Sequence, residues 1–67
     1  MSDGEIIDKA EYTMEIILKA KHETTALLKE ESNVGRDTYK YRSLQRKLQS
    51  LVYLENLVLE ELREMLH

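Results

Sequence analysis

The chain has no cysteine, no proline, no tryptophan and no phenylalanine, and only two of its residues are glycine. Without cysteine, disulfide staples and thiolate metal sites are excluded, and the composition fits a reducing compartment. The two glycines, Gly4 and Gly35, lie far apart, so there is no glycine-rich phosphate loop. No stretch approaches the ~20 consecutive apolar residues of a membrane span. Excess positive charge is also missing. The formal net charge is −3, whereas a general nucleic-acid binder needs surplus Lys and Arg to neutralise phosphates. The first residues, Met1-Ser2-Asp3-Gly4-Glu5, are acidic and lack the basic-then-apolar order of a signal peptide. The expectation is a cytoplasmic protein.

What remains is 67 residues, enough for one small domain. With disulfides and zinc–cysteine sites unavailable, such a chain depends on well-packed helices or on a partner. Its one strong interruption is Ser32-Asn33-Val34-Gly35-Arg36-Asp37. Asn and Gly tolerate the left-handed backbone that often ends helices, and Asp37 or Thr38 can cap the helix that follows. Near the start, Ser2 and Glu5 have capping-box spacing, with Asp3 as the competing cap.

Apolar residues recur at spacings of three and four on both sides of the break, which is helix and not strand. The first stripe is Ile6/Ile7, Ala10, Met14, Ile17/Leu18 and Leu27/Leu28. The second is Tyr41, Leu44, Leu48, Leu51/Val52, Leu54/Glu55, Val58/Leu59, Leu62 and Met65/Leu66. The predicted fold is all-α: helix 1 over about residues 3–31, a turn over 32–37, and helix 2 over about 38–66. Each helix of about 28 residues would span about 42 Å. A short connection makes them antiparallel neighbours. The expected hairpin core is Ile7, Ala10, Met14, Ile17, Leu28, Tyr41, Leu44, Leu48, Leu51 and Leu62, with Val52 and Leu59 also mostly in the seam. In the predicted register Glu55 lies opposite Met14, with its carboxylate turned to water.

One segment does not fit a one-sided helix. Residues 51–59, Leu-Val-Tyr-Leu-Glu-Asn-Leu-Val-Leu, are apolar almost all the way round. A helix needs one apolar stripe to fold against one neighbour. A lone two-helix scaffold comes out near zero once chain entropy is subtracted. A second apolar face therefore points to a second contact, each buried leucine contributing ~2 kcal/mol. Tyr53, Leu54 and Leu57, with Val58 at their margin, are the expected partner interface. The hairpin would then be completed by a partner or by homodimerisation into a four-helix bundle.

Nothing in the chain has the arrangement of a catalytic centre. His22 is the only internal histidine and has no His or Glu at metal-ligand spacing, so it reads as a surface residue. Ser32, Ser43 and Ser50 lack an activating base. No enzyme activity, cofactor or metal is expected. Arg36, Lys40, Arg42, Arg46 and Lys47, interleaved with Tyr39 and Tyr41, resemble a nucleic-acid surface only faintly. Balancing Glu30 and Glu31 across the turn is the stronger reading, because those carboxylates sit at the negative end of helix 1. Asp3, Glu5 and Asp8 meet Glu60, Glu61 and Glu64 at the open end, forming an acidic tip.

Residues 35–62 carry a family resemblance. Gly35, then Tyr41-Arg42-Ser43-Leu44-Gln45-Arg46, then the apolar run Leu51 to Leu59 resemble the small E-component co-chaperones of bacterial type III secretion systems. Those proteins are helical hairpins of about this size. The resemblance implies a cytoplasmic bacterial chaperone subunit with no catalytic residue. It implies two partners: a larger helical-repeat chaperone, and a secretion needle subunit kept soluble and unpolymerised before export. A homodimeric four-helix bundle with a structural or regulatory role is the alternative from the residues alone. Neither reading involves a membrane or nucleic acid.

Overall fold

The computed structural model describes residues 3–66; the Ser2 capping box and the terminal His67 lie outside them. Helix α1 spans Asp3–Ser32 and helix α2 spans Tyr39–Met65. They pack against each other as an antiparallel hairpin measuring 49 × 15 × 14 Å. Among the described residues there is no strand.

The seam is regular. Along α1 the seam runs through Ile7, Ala10, Met14, Ile17, Lys21, Thr24, Leu28 and Glu31, all buried or half-buried, with Ala20 and Ser32 half-buried beside it; along α2 it runs through Tyr41, Leu44, Leu48, Leu51, Glu55, Val58, Leu62 and Met65. Both series alternate steps of three and four, the heptad spacing that keeps two helices in contact along their length. Where the sequence offers adjacent apolar pairs, that alternation selects one member. It takes Leu51 and Val58 into the seam and leaves Val52 and Leu59 exposed, contrary to their expected place there.

The core is thin. Ile17 is the one fully buried apolar residue among those described, at 7% exposure, and the most enclosed side chain is Thr24, at 1%. Thr24 occupies a seam position and donates its hydroxyl to the Ala20 carbonyl at 2.7 Å. That bond within its own helix removes the cost of burying the oxygen.

The turn is built differently from the expectation. No residue there adopts positive φ, Gly35 included. Helix α1 ends through backbone bonds from Asn33 to the Glu30 carbonyl, at 3.2 Å, and from Val34 and Gly35 to the Glu31 carbonyl, both at 3.0 Å. Those bonds satisfy terminal carbonyls without a left-handed residue. Of the two candidate caps, Thr38 is the one used. Its backbone is extended (φ −70°, ψ 151°) and its hydroxyl oxygen accepts from the Tyr41 N–H at 3.0 Å.

Candidate functional site

Two polar contacts fix how α1 and α2 meet. At the turn, the Glu31 carboxylate accepts a hydrogen bond from the Thr38 hydroxyl at 3.0 Å and lies 4.0 Å from the Lys40 ammonium. The first turn of α2 has no acidic residue of its own. Glu31 therefore brings negative charge from α1 to the positive end of the α2 dipole. Midway along the seam, Lys21 Nζ donates to Glu55 Oε1 at 3.1 Å. Glu55 is thus turned inward, with its side chain only 16% exposed, and not out to water as expected. The predicted register, with Glu55 level with Met14, does not provide this pair. Met14 and Lys21 are two turns apart, about 10 Å along the axis.

The heptad seam divides the remaining surface by a simple rule. Residues immediately before a seam position fall on one flank of their helix, and residues immediately after fall on the other. In an antiparallel pair, corresponding flanks of the two helices share one broad face. Ile6, Ile16, Ala20 and Leu27 of α1 precede seam positions, as do Leu54 and Leu57 of α2. They form one apolar flank. Leu18, Val52, Leu59 and Leu66 follow seam positions and lie on the opposite face.

Of the expected partner-interface residues, Tyr53, Leu54 and Leu57 stand exposed at 64%, 45% and 40%, whereas Val58 is half-buried in the seam. Tyr53 points outward from α2 and shares a shallow depression with Arg46, Gln49, Ser50 and Leu54. Of the ten expected core residues, Ile17 is buried and the other nine are half-buried. Ile16, exposed on the same flank as Leu54, was not singled out from the sequence, and Leu27, read there as a stripe pair with Leu28, is exposed on that flank as well. Their signal was their place directly before Ile17 and Leu28, and it becomes readable only once the seam is known.

The chemistry of the surface is plain. No group of three or more His, Cys, Asp or Glu side chains is placed to hold a metal ion among the described residues. His22 is exposed beside Leu18, Lys21 and Thr25 on α1. Arg42, Arg46 and Lys47 are exposed along α2. No helix among the described residues is long and apolar enough to cross a membrane. No family model, curated protein or solved structure matches the chain.

Proposed function

We propose that the chain is a non-catalytic helical adaptor, which works by docking one flank of its hairpin against a larger helical protein. The observation that carries this reading is the imbalance of burial. The seam encloses little beyond Ile17 and Thr24, while Tyr53, Leu54 and Leu57 stay exposed on helix α2. Side chains of this kind gain ~2 kcal/mol each when fully buried, and tyrosine supplies contact area at low entropic cost. A hairpin this thin gains stability when something covers that flank.

The resemblance of residues 35–62 to the type III secretion E-component co-chaperones gives the partner an identity. In that role the hairpin binds a helical-repeat chaperone in the bacterial cytoplasm, and the pair holds a needle subunit unpolymerised until export. The test is co-purification with a tandem-repeat chaperone and a needle subunit encoded beside it. Leu54→Glu combined with Leu57→Glu should abolish that complex while far-UV circular dichroism stays helical. A complex unaffected by the double variant would sink the docking assignment.

A second reading, a homodimeric bundle with a structural or regulatory role, is supported by the large exposed area of the hairpin. A folded monomer of 7.9 kDa exposes roughly 4,400 Å², whereas this hairpin exposes 5565 Å².

A further inference from the structure

We infer that the flank carrying Ile16, Leu54 and Leu57 takes a second copy of the chain with its long axis reversed. The two-fold axis passes over Ile16 and between Leu54 and Leu57. The proposal rests on the self-associating reading above and gives it a geometry.

The sequence of that flank is self-complementary about this axis. On α1, Lys9 and Glu23 lie equally far on either side of Ile16, on the same row of the helix, and all three are exposed. Reversal of a second copy places Lys9 over Glu23 in both directions. Ile6 and Leu27, also exposed, are almost equidistant from Ile16 and fall over each other. On α2, Lys47 and Glu64 lie equally far outside Leu54 and Leu57. The same operation pairs Lys47 with Glu64, and Leu54 with Leu57. The Lys21–Glu55 contact holds the two centres near one level, since Glu55 lies between Leu54 and Leu57 and Lys21, whose long side chain reaches it, lies five residues past Ile16, about 7.5 Å along the axis.

The charge layout selects reversal over parallel stacking. Between Tyr39 and Leu54, α2 carries Lys40, Arg42, Arg46 and Lys47 and no acid; beyond it come Glu55, Glu60, Glu61 and Glu64, relieved only by Arg63. Parallel copies would set acidic ends together, and like charges facing each other across an interface oppose association. The opposite flank is less suited, because its one α1 aliphatic, Leu18, lies among Glu11, Glu15 and His22. The area is sufficient. One broad face of the hairpin is 49 Å long and 15 Å wide, comparable with the about 800 Å² per partner of a standard interface. A copy seated there covers Leu54 and Leu57, so the paired form masks the surface a larger partner would use.

The full chain should sediment at twice its 7.9 kDa mass at about 100 μM, with helicity followed by circular dichroism. Dissociation should rise with salt, because the rim pairs are exposed and screened. Lys47→Glu should weaken the dimer about tenfold, and Lys47→Glu with Glu64→Lys should restore it to near the original affinity. Because the chain has no cysteine, introduced thiols report geometry directly. Ile16→Cys should link to itself, and Ile6→Cys should link to Leu27→Cys when the two are mixed. A monomer at that concentration would overturn both the geometry and the self-associating reading. A dimer in which Leu27→Cys links efficiently to itself, or in which the charge swap restores nothing, would overturn the geometry alone.

Discussion

Lys21 and Glu55 meet across the seam with their charged atoms 3.1 Å apart, at positions where every heptad rule favours an aliphatic residue. Glu55 is largely enclosed, with Lys21 more open at 34%. Pairs of this kind cost desolvation and return register. Lys21→Ala or Glu55→Ala should each destabilise the hairpin by about 1–3 kcal/mol, since each leaves one charge in a half-dry seam. Replacing both by leucine should recover most of the loss or exceed it. Chemical denaturation of the three variants checks this; a double variant weaker than both singles would refute it.

Thr24 supplies a second test. Thr24→Val keeps the shape and drops the hydroxyl, whose bond to Ala20 is local. Stability should change by less than about 1 kcal/mol. Thr24→Leu adds volume where 1% of the residue is exposed and should cost about 1–3 kcal/mol. Equal melting temperatures for the two variants would show that the site has room.

Gly35 is not needed for its backbone freedom. Its φ is not positive, and an added Cβ would meet Thr38 Cγ2 at 3.6 Å, an ordinary contact. Gly35→Ala should be neutral or stabilise the fold by about 0.4–1 kcal/mol through the unfolded chain. A loss of more than 1 kcal/mol in urea denaturation would contradict this turn geometry.

Glu31 and Thr38 act as one closure. Thr38→Ala removes both the cap on Tyr41 and the donor to Glu31, and should cost about 1–2 kcal/mol. Glu31→Gln keeps an acceptor but removes the charge, so its smaller loss should disappear at high salt. A Glu31→Gln deficit that persists in about 1 M salt would show a packing effect instead.

The hairpin was readable because Ile7, Ala10, Met14 and Ile17, and Leu44, Leu48 and Leu51, repeat at helical steps around a single break. What the pattern could not supply was a choice within adjacent pairs. Leu51 beside Val52 and Val58 beside Leu59 are equivalent to a helix read alone, and only contact with α1 separates them. The depth of Thr24 was hidden because its polarity masks a methyl group suited to a narrow seam. The Lys21–Glu55 pair was missed because a short loop fixes that two helices are antiparallel but not how far one slides along the other. Tyr53, Leu54 and Leu57 could be picked out as surplus because α2 is apolar beyond the width one neighbour can cover. The flank that holds Leu54 and Leu57 could not be drawn until Ile16 and Leu27 were placed beside them.

Helix α2 runs against its own dipole, with Lys40 and Arg42 at its start and Glu60, Glu61 and Glu64 near its end. The carboxylate that corrects its first turn belongs to Glu31, which is made earlier on the ribosome. The second half of the chain therefore has little reason to coil before the first half is in place. Cutting the loop and offering the two helices as separate peptides should leave α2 largely unstructured until α1 is added. If α2 coils only when α1 is added, the order of folding follows the order of synthesis.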